Sequence, residues 1–187
     1  MIKLKHLIIY LPFVILVSCA TNKDEAVNSR ISIESNNKGT LISSNINKLK
    51  LLIPSKDLEV IKERGGGGQR NPGYFYLKDV KIDLHLSGWF EPIDKFKYKD
   101  KADFWGPEIG RQKPIEVEFL FINNWEIAIY DIPLPEKFKE GCSAHIRAIL
   151  LQDDTWLDLH LSITALKSRE VLHNLLLDYF KTLQIIN

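Results

Sequence analysis

Apolar and polar side chains alternate in two long segments, and this alternation constrains the fold more than any other sequence feature. The segments are IEVEFLFINNWEIAIYDI, residues 115–132, and HIRAILLQDDTWLDLHLSIT, residues 145–164. Alternate side chains of a β-strand point to the same face, so each segment has the pattern of strands with one apolar face. Both segments are interrupted by residues that tolerate the backbone of a tight turn, Asn123-Asn124 and Asp153-Asp154. The pattern therefore predicts two antiparallel hairpins that turn at these pairs.

Three further segments are predicted to be strands. GYFYLKDVKIDLHLSGWFEP, residues 73–92, is typical of a hairpin. A turn at Lys78 and Asp79 would place six apolar residues on one face: Phe75, Leu77, Val80, Ile82, Leu84 and Leu86. KLKLLIP, residues 48–54, indicates a strand, and EVIKER, residues 59–64, indicates an edge strand after a turn or a short helix.

The apolar period changes near the end of the chain. In SREVLHNLLLDYFKTL, residues 168–183, Ser168 is a candidate helix N-cap. Behind it follows the stripe of an amphipathic helix: Val171, Leu172, Leu175, Leu176, Tyr179 and Leu183. We therefore predict an α+β domain, an antiparallel meander sheet of about six to seven strands with this helix packed on one face. A second, short helix is predicted around residues 97–104.

The first nineteen residues have the three parts of an export signal. Lys3 and Lys5 precede the apolar run LIIYLPFVIL, and LVSC ends at Cys19. The run is shorter than the ~20 residues that a membrane-spanning helix needs. LVSC resembles the lipobox of bacterial lipoproteins, which implies removal of residues 1–18 and lipidation of Cys19. By the same resemblance, Ala20 favours the outer membrane, with the protein facing the periplasm.

Composition excludes several functional classes. Without Lys3 and Lys5 the chain keeps 23 basic against 24 acidic side chains, and this balance argues against a nucleic-acid partner. If Cys19 carries lipid, Cys142 has no intramolecular partner, so we expect no disulfide within the chain. We interpret this thiol as a small buried group, and the alternative is a thiol available to another chain. We predict a polar tether at residues 19–40, a single domain at 41–187 and no cofactor.

The pentapeptide DLHLS occurs twice, at Asp83–Ser87 and at Asp158–Ser162. On a strand its leucines face one way, and its Asp, His and Ser face the other. A turn at Asp153-Asp154 places Leu151 opposite Trp156, Ile149 opposite Asp158, Arg147 opposite His160, and His145 opposite Ser162. We therefore predict a polar cluster on one sheet face, with the binding residues His145, Arg147, Asp158 and His160. The first copy contributes the further candidate binding residues Asp83, His85 and Trp89, and the sequence leaves open whether the two DLHLS strands are neighbours.

Several interpretations of this cluster remain open. A Ser-His-Asp hydrolase is disfavoured because alternate residues on one strand are spread over ~13 Å. Zinc coordination by the His and Asp side chains is permitted by their type but not specified by their spacing. Cross-strand ion pairing is the simplest interpretation. A sheet face with Arg and Trp also suits protein docking.

ERGGGGQRNPG, residues 63–73, is a second candidate. Its glycines would let backbone amides approach an anion, but the lysine and hydroxyl of a Walker loop are missing. A flexible loop between strands is the simpler interpretation. His173, on the polar side of the last helix, is predicted to be exposed.

Two resemblances extend to the globular part. The order of strands, hairpins and last helix resembles the PsbP-like fold of exported bacterial proteins. RGGGG, SGWFEP, SAHIRA and TWLDLHLS resemble blocks of a group of exported bacterial proteins with no assigned activity. We therefore expect a lipid-anchored envelope module that binds a protein partner, in toxin immunity or envelope assembly. The alternative is a small metal-dependent enzyme that uses the His/Asp cluster.

Overall fold

A computed structural model describes residues 31–45, 48–61, 73–95 and 114–186 of the chain. These residues form eleven strands and one α-helix, in the following order: β1 Ile31–Asn36, β2 Gly39–Ser44, β3 Lys50–Ile53, β4 Leu58–Val60, β5 Tyr74–Asp79, β6 Leu84–Pro92, β7 Ile115–Ile122, β8 Trp125–Asp131, β9 Cys142–Gln152, β10 Thr155–Ala165, α1 Arg169–Thr182 and β11 Gln184–Ile186. The predicted α+β class is confirmed. Within the described ranges, no helix has the length and apolar character of a membrane span.

The strands form two antiparallel sheets. The larger has seven strands in the order β4-β5-β6-β10-β9-β8-β7, and the smaller has four in the order β1-β2-β3-β11. The large sheet departs from a simple meander because β6 pairs with β10, which is late in the chain, and not with β7. This pairing joins the run β4 to β6 with the run β7 to β10. It also makes the two DLHLS strands direct neighbours.

One hydrophobic core lies between the two sheets and the helix. It contains Ile42 and Leu51 from the small sheet, Leu86 and Leu159 from the large sheet, and Leu172 from the helix. The leucines of both DLHLS copies face this core, as predicted. The opposite face of the large sheet carries Asp158 and the His and Ser side chains of both copies, and is called the outer face below.

Gly88 marks the closest approach between β6 and β10. A Cβ atom at this position would lie 2.5 Å from the backbone oxygen of Asp158 and 2.8 Å from the Phe75 ring. Only glycine lets the ring of Phe75, its cross-strand partner, lie over β6 at this point.

Two of the predicted hairpins are confirmed in position and register. Asn123, Asn124, Asp153 and Asp154 all adopt positive φ angles, between 46° and 71°, which these residue types tolerate. The register of β9 and β10 pairs Arg147 with His160 and His145 with Ser162. The strand predicted at residues 48–54 is present as β3. Of the edge strand predicted at 59–64, the structure shows β4 at Leu58–Val60, and residues 62–64 lie outside the described residues.

The first predicted hairpin has a wrong turn. Strand β5 continues to Asp79 and the connection is residues 80–83, so Tyr74 lies opposite Trp89 and not Asp83. Asp79 is buried and accepts hydrogen bonds from Ser55 Oγ, at 2.7 Å, and from the Lys81 amide. Because Asp79 is held inside, the chain turns after it. Val80 is consequently exposed instead of facing the core.

The tether prediction is wrong for residues 31–40. Strands β1 and β2 form a hairpin in which Asn36 lies opposite Gly39. Thr40 and Ile42 are buried, so even this polar segment contributes one covered face to the small sheet. Residues 19–30 lie outside the described residues, as do Cys19 and the export signal. The glycines at 65–68 and the short helix predicted around 97–104 lie outside them too.

The last helix is confirmed with one shift of its apolar stripe. Ser168 caps it by accepting a hydrogen bond from the Val171 amide. The residues buried on its inner face are Leu172, Leu176 and Phe180, whereas Val171 is exposed. The stripe is rotated because the Phe180 ring packs edge-on against Trp125 on β8, with ring centroids 5.5 Å apart.

Candidate functional site

The outer face carries a polar network built by β9 and β10. Arg147 donates two hydrogen bonds to Asp158, from Nε at 3.3 Å and from a terminal nitrogen at 2.8 Å. His145 Nδ1 lies 3.0 Å from His160 Nε2. Both contacts are diagonal, since Arg147 lies directly opposite His160 and His145 opposite Ser162. Sheet twist brings such diagonal neighbours within reach of long side chains.

Asp158 is the most deeply buried member of the network, with a fully covered side chain. Burial raises the pKa of Asp158, and the Arg147 guanidinium opposes this effect. Arg147 exposes 21% of its side chain, and its guanidinium carbon lies 5.7 Å from the centroid of the Trp89 ring. A planar cation between a carboxylate and an aromatic face is held in one orientation.

The two histidines form a stacked column with Tyr130. Ring centroids are 5.1 Å apart for Tyr130 and His145, and 5.2 Å apart for His145 and His160. Burial lowers the pKa of His145 to about 4. Burial, together with the neighbouring His145 and Arg147, lowers the pKa of His160 to about 3. Both rings are therefore neutral at pH 7.

A hydroxyl chain continues the network toward the end of the strand. Ser143 Oγ lies 2.9 Å from His145 Nε2 and 2.8 Å from Thr164 Oγ1. A serine beside an imidazole is the arrangement of a nucleophile and its base. The low pKa of His145 makes it a weak base at neutral pH, however, and Ser143 is buried. The contact is therefore best described as part of a structural hydrogen-bond chain.

The hydrolase and zinc interpretations are not supported by this geometry. Asp158 is hydrogen-bonded to Arg147, and His160 is hydrogen-bonded to His145. The Asp and His of this DLHLS copy are therefore not hydrogen-bonded to each other as a catalytic triad requires. Both ring nitrogens of His145 already have protein partners, which a metal would have to displace. In the described part of the chain, no group of three or more His, Cys, Asp or Glu side chains is placed to hold a metal ion.

The first DLHLS copy contributes less than predicted. His85 Nδ1 lies 2.6 Å from the hydroxyl of Tyr76 on β5, and Trp89 packs edge-on against Trp156. Asp83 lies in the turn with a positive φ of 57° and pairs with Lys78, apart from the cluster. The structure thus brings together His145, Arg147, Asp158 and His160 with Trp89, but not Asp83.

A second polar cluster, around Asp131, was not predicted. Asp131 is buried on the core face, where its Oδ2 pairs with Arg169 at 2.8 Å and its Oδ1 with His173 at 2.7 Å. His173, predicted to be exposed, has only 12% of its side chain exposed. Two sequence signals could have found this cluster. Asp131 is an even number of residues from Ile127 and Ile129 and so shares their face of the strand. Arg169 and His173 are four residues apart and so share one face of the helix.

Cys142 also contacts Asp131, and its thiol donates to Oδ1 at 3.4 Å. Burial and this neighbouring carboxylate raise the pKa of Cys142 to about 11. A reactive cysteine needs the opposite shift, because the thiolate is the nucleophile. Cys142 is therefore a weakly nucleophilic thiol at neutral pH, and it is half-buried where the sequence predicted a buried side chain.

No protein-family model matches the chain, and a search of curated proteins also finds no match.

The Arg147–Asp158 pair generates a stability prediction. Replacing Arg147 by Ala leaves the Asp158 carboxyl buried without its cation, so we expect a loss of about 3–5 kcal/mol in the free energy of unfolding. The double variant Arg147→Met/Asp158→Leu removes both charges and should lose less than the single variant. Urea unfolding of the three proteins measures this. A single variant that loses under ~1 kcal/mol would contradict a buried pair.

The histidine column generates a pH prediction. Below the ordinary pKa of 6.5 the unfolded chain gains protons at His145 and His160, whereas the folded rings stay neutral until about pH 4 and 3. The free energy of unfolding should therefore fall between pH 7 and 5, by roughly 2 kcal/mol for each ring. Urea unfolding at both pH values measures the fall. His160→Asn should make it smaller, and an equal fall in this variant would sink the explanation.

Proposed function

We propose that this chain is a lipid-anchored protein of the bacterial envelope that binds a protein partner. The anchor is supported by the sequence of residues 1–19, in which a basic start, an apolar run and LVSC precede the polar residues that follow Cys19. A tether from Cys19 to the first strand at Ile31 would hold the domain close to the membrane surface.

The observation that carries the binding role is the apolar edge of the outer face. Strand β7 is the last strand of the large sheet, and its Phe119 and Phe121 are 47% and 68% exposed. Leu151 is on β9, two strands inward from β7 on the same face, and is 46% exposed. Large apolar side chains gathered at a sheet edge are typical of surfaces that dock another protein. We call these three residues the apolar edge.

The polar network supports this role by stiffening the sheet next to the apolar edge. His145, Arg147, Asp158 and His160 are bonded among themselves, so they fix the positions of β9 and β10. Arg147 of β9 stays partly exposed on the same face, two strands inward from Phe119, and would belong to the polar rim of a docking surface. Such a surface suits a toxin captured by an immunity protein as well as an envelope assembly partner.

The anchor is tested by changing Cys19. In cells fed an alkyne fatty acid, the full chain should acquire the label and fractionate with membranes, because the lipid is attached to the Cys19 thiol. Cys19→Ser should abolish both properties, whereas Cys142→Ser, the matched control, should leave them intact. Labelling that persists in Cys19→Ser would overturn the anchor.

The binding role is tested at Phe121. A photo-crosslinking amino acid at position 121 of the full chain should form one discrete crosslinked product in envelope preparations. The same crosslinker at Phe138, which is 52% exposed on a separate turn, is the matched control. Replacing Phe119 by Ser should reduce the product at 121 without changing the urea midpoint. Equal products at 121 and 138, or no dependence on Phe119, would argue against docking at the apolar edge.

A further inference from the structure

A cavity of about 490 Å³ lies at the tip of the β7–β8 hairpin, far along the sheet from the Ser143 end of the polar network. Its walls come from this hairpin, from the end of α1 and from β11. The volume is in the range of ~300–1,000 Å³ that is typical of small-molecule sites. Its lining residues include no carboxylate, which sets it apart from the Asp131 cluster.

Four carboxamide side chains line this cavity: Asn123, Asn124, Gln152 and Gln184. Each carboxamide carries two N–H donors and one carbonyl acceptor. Asn123 and Asn124 are held at the cavity by the backbone of the hairpin turn, where both have positive φ. Gln152 Nε2 also donates to Asp153 at 3.3 Å, which orients its amide group. Paired donors and acceptors of this kind match hydroxyl groups, which both donate and accept.

The charges around the cavity favour neither an anionic nor a cationic ligand, because they are of opposite sign. Helix α1 ends at Thr182, so the negative end of its dipole lies at the cavity and opposes an anion. Lys181, also in the lining, opposes a cation. The ammonium of Lys181 pairs with Asp178 at 3.2 Å, so part of its charge is already compensated. A neutral ligand meets neither obstacle.

The floor of the cavity is apolar. Trp125, Leu150 and Phe180 are also in the cavity lining, and each exposes a small apolar surface because its side chain is mostly buried. The edge-on contact between the Trp125 and Phe180 rings fixes this floor. An apolar floor with a polar rim suits a ligand that has a C–H face and hydroxyl groups around its edge, as a sugar ring has.

We propose that this cavity binds a neutral saccharide, with the carboxamides as hydrogen-bond partners and Trp125, Leu150 and Phe180 as the floor. The site is separate from the apolar edge and does not depend on lipid at Cys19. Its test is therefore independent of the proposed function.

The test uses the full chain in a zwitterionic detergent without a sugar headgroup, titrated with chitotriose, a neutral trimer of N-acetylglucosamine. Calorimetry should show saturable binding. The tryptophan fluorescence should also change, because Trp125 is in the cavity lining. Asn124→Gly removes one carboxamide while allowing positive φ, and Gln184→Ala removes another. Each should weaken binding about tenfold, the loss expected for one or two hydrogen bonds.

Two controls make the result specific. Asn36→Ala removes an exposed amide at the β1–β2 turn and should leave the affinity unchanged. The acidic trimer trigalacturonate should bind no more tightly than chitotriose, because the negative end of the helix dipole opposes its charge and offsets the attraction of Lys181. The proposal is overturned if chitotriose fails to saturate the folded protein. The proposal is also overturned if Asn124→Gly and Gln184→Ala bind chitotriose as tightly as the unchanged chain does, or if the protein prefers the acidic trimer.

Discussion

The fold depends on the pairing of β6 with β10. Without it the large sheet would be two separate runs of hairpins, and neither would present enough apolar surface to hold the helix and the small sheet. The pairing places Leu86 directly opposite Leu161 and continues the leucine row of one DLHLS copy into that of the other. Gly88 allows the two strands and the ring of Phe75 to meet without steric conflict. The repeated pentapeptide thus marks a sheet contact, and its leucines are the reason for it.

The same pairing has a consequence on the outer face. Polar side chains in the middle of a wide sheet are covered by their neighbours, so they must satisfy one another. The network meets this requirement in two ways: Arg147 neutralises Asp158, and the histidines remain neutral and share a hydrogen bond. A fully satisfied network keeps the sheet rigid, but it leaves few hydrogen-bond donors or acceptors available to a ligand. The groups available to a ligand are therefore at the margins, at the apolar edge and at the hairpin tip.

Much of the fold can be predicted from local patterns. The β7–β8 and β9–β10 hairpins are specified by alternation and by the Asn-Asn and Asp-Asp turns, so even the register of Arg147 and His160 follows from counting. The β5–β6 turn could not be placed this way, because Asp79 looks like a turn residue and is instead held by Ser55, which is distant in sequence. The β1–β2 hairpin was missed because its composition is that of a linker, and only the small sheet covers it.

The candidate site could be predicted only in part, because local patterns give strand register but not sheet twist or helix docking. Counting residues from a turn gives the directly opposite neighbour, but twist decides that Arg147 reaches Asp158 and that His145 reaches His160. The Asp131 cluster depends on where α1 docks against β8, which no local pattern specifies. The hairpin-tip cavity likewise needs the end of α1 and β11 to be placed, and both positions follow from packing.

The pairing of β11 with β3 has a kinetic consequence. Ile185 lies opposite Leu51, so the small sheet closes a loop of more than a hundred residues. Contacts of such long range form slowly, because most of the chain must be ordered before they can stabilise it. The β11–β3 pairing should thus be among the last contacts to form during folding, whereas β1, β2 and β3 pair with neighbours close in sequence. Strand β3, with its buried Leu51 and Ile53, would until then expose an apolar edge, and this interval is when a newly made chain is most prone to aggregate.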